Sequence, residues 1–400
     1  MKKLMILGGA RYILPIIKKA HDLGIYVITC DYLPDNVAHK YSDEYCNVSI
    51  IDKEKTLEAA KKHKIDGIMS FACDPGVLTA AYIADKLKLP NVGPYESVCI
   101  LQNKSKFRDF LTENGFSVPT AKGYKNIKDA LKDYKVFHWP VIVKPTDSAG
   151  SKGVSRVDSP KDLERAIQRA LKFSHSNEFI IEDFILQQGY SSDTDSFSID
   201  GKLKFVSFNN QWFDQQAVNP YTPAAYSWPS SMAIEKQEEL KKEIQRLLRL
   251  LNMKTAIYNI ETRVGIDGNA YIMELSPRGG GNRLAECIYY ATGVDMITNM
   301  VKYSVGLPMD EITQKGYDGY WAEIILHSDE EGNFRELWIS DEIVPNVIEK
   351  DIWISEGTFV GGFSAANEAI GTLILKFDSQ QQAESILKNQ KKYVKVLLSD

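Results

Sequence analysis

The chain has 400 residues, with 48 basic against 53 acidic side chains, a mildly acidic balance and enough length for two or three domains with sizeable cores. That balance offers no basic surface for nucleic acid, and the absence of any run of eighteen apolar residues argues against a membrane span. Cys30, Cys46, Cys73, Cys99 and Cys287 are scattered without metal-ligand spacing, which predicts buried, reduced thiols in a cytoplasmic protein.

The opening KLMILGG reads as a buried strand and not as a secretory leader, because Gly8, Gly9 and Arg11 interrupt the apolar run Leu4 to Leu7. The helix ILPIIKKAHDLG follows, then the strand IYVITCD, the helix TLEAAKKHK, the strand DGIMSFA and the helix VLTAAYIADKLK. This alternation predicts a doubly wound parallel sheet over residues 1–102. Ligands of such sheets lie beyond the carboxyl ends of strands, here Gly8-Gly9, Asp31 and Ala72 to Gly76. The Gly8-Gly9 pair alone reads as a structural turn.

Pro90, Gly93 and Pro94 mark a boundary. The helix KSKFRDFLTENG and the strands WPVIVKPTDSAGSKGVSRV and EFIIEDFI, with a helix from Lys161 to Lys172 between them, predict an α+β unit over residues 103–187. A second α+β unit spans 188–310. It starts with paired strands around Asp200-Gly201 and an aromatic, proline-rich loop from Asn210 to Met232, where Trp212, Tyr221, Tyr226 and Trp228 are candidates for lining a pocket. Leu240, Ile244, Leu247, Leu248 and Leu251 then recur at helical spacing. Residues 311–400 alternate strands such as YWAEIILH and GTLILKF with one amphipathic helix, a C-terminal α+β subdomain. His138 and His327 read as core or surface residues.

Three stretches carry chemistry. Lys144 ends the apolar strand VIVKP, where a buried ammonium needs a compensating anion. The loop behind it, Asp147 to Gly153, is small, Gly/Ser-rich and suited to closing over phosphate oxygens with backbone N–H groups. Most informative is YNIETRVGIDGNAYIMELSPRGGG, Tyr258 to Gly281. Its Asp267-Gly268 turn predicts a hairpin, and Glu261 and Glu274 then share one face, a pair of oxygen ligands suited to Mg2+. Gly279 to Arg283 opens a helix whose N-terminus suits an anion, with Arg283 as anchor.

These motifs, in this order, resemble the ATP-grasp superfamily of carboxylate–amine ligases, which includes biotin carboxylases, carbamoyl phosphate synthase large subunits and amino-acid ligases; the resemblance runs from residue 1 to beyond 305. It implies an ATP-grasp fold with a preceding α/β domain. It also implies that Lys104 and Lys144 bind ATP phosphates, and that Ser148, Gly150, Ser151, Lys152 and Gly153 shield the γ-phosphate. Glu182, Asp183 and Ile185 would form the adenine hinge, with Ile142 and Met273 on the faces of the base and Asp193 or Asp195 at the ribose. Glu261, Glu274 and Ser276 would hold Mg2+, or Mn2+ in its place, Ser276 standing where the family commonly has Asn. Arg278 and Lys144 would stabilise the transferred phosphoryl group. Arg278, Gly280, Gly281, Asn282 and Arg283 would bind substrate. The implied reaction activates a small carboxylic acid, an amino acid foremost, as an acyl phosphate and joins it to an amine, forming a C–N bond. Alternatives are a carboxylase or carbamoyl-phosphate-type enzyme activating bicarbonate, and a nucleotide-binding protein without turnover. Small-molecule substrates and a homodimer are the expected partners.

Overall fold

A computed structural model describes residues 1–314 and 316–399. The strands Lys3–Leu7, Tyr26–Asp31, Glu44–Asn47 and Gly67–Ser70 form a parallel sheet, ordered third, second, first, fourth in the chain. Leu4 to Leu7 and Gly67 to Ser70 are buried throughout, as expected of parallel strands covered on both faces. The helix Lys53–His63 starts where the Asp52 carboxylate accepts the Lys55 N–H and stops at Lys64 in the left-handed region. The helix Asp74–Leu87 begins with proline in its first turn. It presses Gly76 against Ser70 and Leu7, where any side chain would collide.

The second unit is an antiparallel sheet in the order Ala121–Tyr124, Phe179–Asp183, Val141–Pro145, Ser155–Val157. The helix Leu163–Leu171 lays Leu163, Ala166, Ile167 and Ala170 on it, the i, i+3, i+4, i+7 pattern of an amphipathic helix. The third unit is the sheet Lys202–Val206, Ser192–Ile199, Ala256–Val264, Ala270–Ser276, also antiparallel. Its back is covered by the helix Ile234–Leu250 through Leu240, Ile244, Leu247 and Leu248, as the leucine spacing predicts.

The aromatic segment departs from its expectation. Residues 210–232 are not a loop over a pocket but contain two strands, Asn210–Phe213 and Pro223–Trp228, joined to Tyr320–Leu326, Gly371–Phe377 and Val347–Ile352 in a five-stranded sheet. Pro223 masks the strand in the sequence, yet it sits at a register shift at the strand's start, where a missing N–H costs least. Trp228 is core, its indole N–H donating to the Ser207 carbonyl at 3.2 Å. A small sheet of Phe359–Val360, Gly332–Ile339 and Val394–Ser399 completes the C-terminal part. Among the described residues no helix is long and apolar enough to cross a membrane, and the five cysteines are free thiols.

Candidate functional site

Lys144 receives the anion its burial requires. Its Nζ donates to Glu182 Oε2 at 2.8 Å, and Arg108 Nε lies 2.9 Å from Glu182 Oε1. Burial pushes the Glu182 carboxyl up, but Arg108 and Lys144 together outweigh it and hold the group at about 2. The Glu182 side chain is thus the counter-ion of Lys144, and its backbone lies between the strands Ala121–Tyr124 and Val141–Pro145. Arg108, four residues into the helix Lys104–Glu113, was not legible as a partner. Beyond Glu182 the chain crosses between sheets. Asp183 accepts from the backbone and ring nitrogens of His138, both at 2.8 Å, and the Ile185 carbonyl accepts from Arg263. Ile142, half-buried, stands opposite Glu182 on the neighbouring strand.

Lys104 links two motifs. Its Nζ donates to the Ser148 carbonyl at 3.0 Å and reaches Glu274 Oε1 at 3.4 Å, so the strand hairpin and the Gly/Ser loop meet at one ammonium. Gly150, Ser151 and Gly153 take positive φ values in that loop, which lets it fold tightly. It rests on residues far along the chain. Ser151 Oγ donates to the Tyr221 carbonyl at 3.0 Å, and Asn219 Nδ2 donates to the Ser151 and Ser364 carbonyls, both at 3.1 Å. Lys152 is half-buried beside them.

On the facing sheet the predicted hairpin forms, with Gly268 at φ +79° in its turn. Glu261 and Glu274 are direct cross-strand partners, and Asp193 stands opposite Glu261 on the other side. Three carboxylates therefore stand in a row across three strands. A register shift follows Glu261. Ile272 and Leu275 both enter the back core, so the bulge turns Met273 as well as Glu274 to the cleft face. The next row is Asp195, Asn259 and Ser276. Like charges directly opposite destabilise a sheet, and here Lys104 and Arg263 approach only loosely, at 3.4 and 3.5 Å. Both glutamate side chains are about one-third exposed. Two hard oxygen donors, only loosely matched by these cations and set on one open face, fit a divalent cation.

Two neighbours need correction. Ser276 is 1% exposed, and its hydroxyl donates to Asp74 Oδ1 at 2.9 Å while accepting from Gln102 Nε2 at 2.7 Å. With those partners it braces the hairpin against the N-terminal unit, and the fit to a metal rests on the two glutamates. Asp193, expected at a ribose, is half-buried. It accepts from Tyr226 Oη and Asn259 Nδ2, each at 2.8 Å, beside Glu261. Burial first, then the Glu261 charge, raises its carboxyl to about 6. Asp195 is raised by burial to about 7 and accepts from the Gly280 N–H at 2.8 Å. Both carboxylates are engaged by partners within their own sheet and its neighbours, and these contacts lend the ribose assignment no support.

Arg278 forms a half-buried two-point pair with Asp74, Nε to Oδ1 at 3.0 Å and Nη2 to Oδ2 at 2.6 Å. Burial pushes Asp74 up, but the guanidinium wins and holds it below the usual carboxylate range; Asp74 in turn raises Arg278. Together with the Nη1 contact to the Gly279 carbonyl, these bonds use three of the five guanidinium donors. Asp74 escaped the sequence reading, although it lies in the strand-end stretch Ala72 to Gly76. Gly279 must be glycine, because a side chain there would collide with the Phe71 ring. Gly281 borders open space, while Asn282 and Arg283 take positive φ. Arg283 is not a lone anion anchor: it pairs with Glu286 at 2.9 Å and Glu349 at 2.8 Å, with Asp351 at 3.9 Å. It lines a cleft of about 560 Å³ shared with Arg11 and Tyr12 of the N-terminal unit.

Residues 137–286 match the family model described as ATP-grasp domain. The carbamoyl phosphate synthase large chain of Thermotoga neapolitana is 26% identical over 260 residues, which is 65% of this chain and 23% of that one. The chain thus spans about a quarter of such a relative's length. Among solved structures, L-amino acid ligase from Bacillus licheniformis superposes with a TM-score of 0.84 at 20% identity, covering 100% of this chain and 99% of that one. The biotin carboxylase domain of the Hydrogenobacter thermophilus 2-oxoglutarate carboxylase, solved as a dimer with MgADP and bicarbonate, gives 0.75 at 15% identity, covering 99% and 90%. At these identities the likeness establishes the fold.

Proposed function

We propose that this chain, a member of the ATP-grasp superfamily, is an ATP-dependent ligase that activates a small carboxylic acid as an acyl phosphate and joins it to an amine, releasing ADP and phosphate. One observation carries the reading: Lys104 lies between the Gly/Ser loop and Glu274, beside the loosely paired, half-open Glu261–Glu274 pair. Glu261 and Glu274 would hold Mg2+, or Mn2+, which when bound neutralises phosphate oxygens. Lys104 and Lys144 orient the triphosphate, with Glu182 keeping Lys144 in place. Ile142 and Met273 border the base, next to the chain crossing at Asp183 to Ile185. The Ser148–Gly153 loop excludes water, which would otherwise hydrolyse an activated acyl group. Arg278, fixed by Asp74, presents its remaining donors to transferred phosphate or substrate carboxylate. Phosphoryl transfer asks for positioning and charge neutralisation more than for a covalent nucleophile, and this residue set supplies both.

An amino acid is the favoured acid, supported by the whole-chain superposition on an L-amino acid ligase. Free thiols support a cytoplasmic setting, and the dimeric biotin carboxylase domain supports a homodimer. The test incubates the chain with ATP, Mg2+ and pools of carboxylates and amines, and follows ADP and phosphate. Release that requires both an acid and an amine is expected. Release with bicarbonate alone would replace this reading with a bicarbonate-activating enzyme. Nucleotide binding without turnover in any pool would remove it.

A further inference from the structure

Glu323 lies in the strand Tyr320–Leu326, between Tyr226 and Ile374 of the flanking strands. Its neighbours on the same face, Trp321 and Ile325, belong to the apolar core. It is fully buried, and neither carboxyl oxygen has a hydrogen-bond partner. An unmet buried polar group costs about 1–3 kcal/mol, more if charged, and nothing in the ligase reading so far gives this residue work.

The surroundings indicate what would satisfy it. Arg283 is a favourable charge acting on Glu323, yet it makes no hydrogen bond to it; its other nitrogens go to Glu286 and Glu349, and its Nη1 is also buried without a partner. Asn282 Oδ1, one residue earlier, is a fourth buried atom without one. Asp193, Asp195 and Glu286 add negative charge around Glu323, while the nearby Arg278 is neutralised by Asp74. An anion entering here meets an acidic shell. A cation with several N–H donors meets acceptors. Arg283 and Tyr12 line the 560 Å³ cleft, and the charge of Glu323 acts on both.

We propose that Glu323, with Arg283 close by, is the subsite for the ammonium group of the amine substrate, entered from the cleft past Tyr12. The assignment rests on the ligase reading and adds a residue that sets acceptor chemistry. A primary amine brings three donors to the two carboxyl oxygens, and an amine that also carries a carboxylate satisfies Arg283 Nη1.

The test is a binding titration of the whole chain, loaded with Mg2+ and a non-hydrolysable ATP analogue. The probes are n-propylamine, L-alaninamide and the standard L-amino acids, with n-propanol as the uncharged control. At least one amine-bearing probe is expected to bind while propanol does not. Glu323→Gln, near-isosteric, is expected to weaken that probe about tenfold or more, leave the nucleotide analogue's affinity unchanged, and recover part of the loss as Glu323→Asp. Equal binding by the Gln variant, or no binding by any amine probe, overturns the proposal. Should the variants not fold, a crystal of the native chain soaked with the tightest probe decides it. The probe nitrogen within hydrogen-bond reach of Glu323 supports the subsite, and a water alone in that place overturns it. Binding is read without turnover, so failure here is distinct from failure of the ligase reading, which shows as no ADP release from ATP.

Discussion

The two walls of the cleft treat charge in opposite ways. On the small sheet, Glu182 lies between Arg108 and Lys144 at 2.9 and 2.8 Å, and the two cations together outweigh the cost of burying its charge. On the facing sheet Asp193, Glu261 and Glu274 stand side by side on three strands, with cations no nearer than 3.4 Å to the two glutamates. The first wall is electrostatically complete and acts as a fixed frame for Lys144. The second is complete only when cations arrive, which is what a site for metal and for an amine requires. Stability and activity are therefore expected to separate by wall.

The largest effect is expected on the complete wall. Arg108→Ala leaves Glu182 with one cation in a buried setting and is expected to lower unfolding stability by about 3–5 kcal/mol, measured by denaturant titration of the unit's transition. The loss carries a pH signature. Glu182 is held at about 2 against an ordinary 4.5, so its stabilising contribution is fully present above the ordinary value and is lost as pH falls from there toward 2. The gap between native and variant chains is expected to close over that window. A gap constant from pH 7 to pH 3 would show that the pair does not stabilise the fold.

On the incomplete wall the order reverses. Glu274→Ala is expected to cost about 2.7–4 kcal/mol in turnover, a factor of about 10² to 10³. Glu261→Gln is expected to lose turnover as well. Without metal it should nevertheless be more stable than the native chain, by a few tenths to about 1 kcal/mol, because it removes a like charge from both cross-strand neighbours. Mg2+ with ATP should raise the native chain's melting temperature and not that of Glu261→Gln. A variant that turns over normally, or that is destabilised without metal, would remove the metal assignment.

How far the sequence revealed these walls follows from distance along the chain. Lys144 at the end of an apolar strand announced that an anion was needed, but not that Glu182, 38 residues on, was that anion. The hairpin was readable because its turn, its alternation and both glutamates fall within one short stretch. Asp74 and Arg278 are 204 residues apart, and no local pattern links a helix start to a turn that distant. Ser276 had the right chemistry for a metal ligand, and only the fold shows Asp74 and Gln102 occupying it. The second strand hidden in residues 210–232, Pro223–Trp228, was masked for a similar reason: the strand that joins it to the sheet lies more than ninety residues later, at Tyr320–Leu326.

The smallest predicted effect concerns where the walls meet. The Gly/Ser loop belongs to the complete wall, yet Asn219, 3% exposed, ties its Ser151 carbonyl to Ser364 of the C-terminal part. Asn219→Ala leaves both carbonyls without that donor, a cost of about 1–3 kcal/mol confined to the arrangement in which the loop is docked. Global stability should change little, because the docked loop contributes few core contacts. Water exclusion should suffer instead, since an undocked loop exposes an activated acyl group. The expected outcome is about a tenfold rise in phosphate released per molecule of ligated product, tenfold being the equivalent of 1.4 kcal/mol. A ratio unchanged from the native chain would mean that the Asn219 contact does not control closure, and that the C-terminal sheet supports the cleft without gating it.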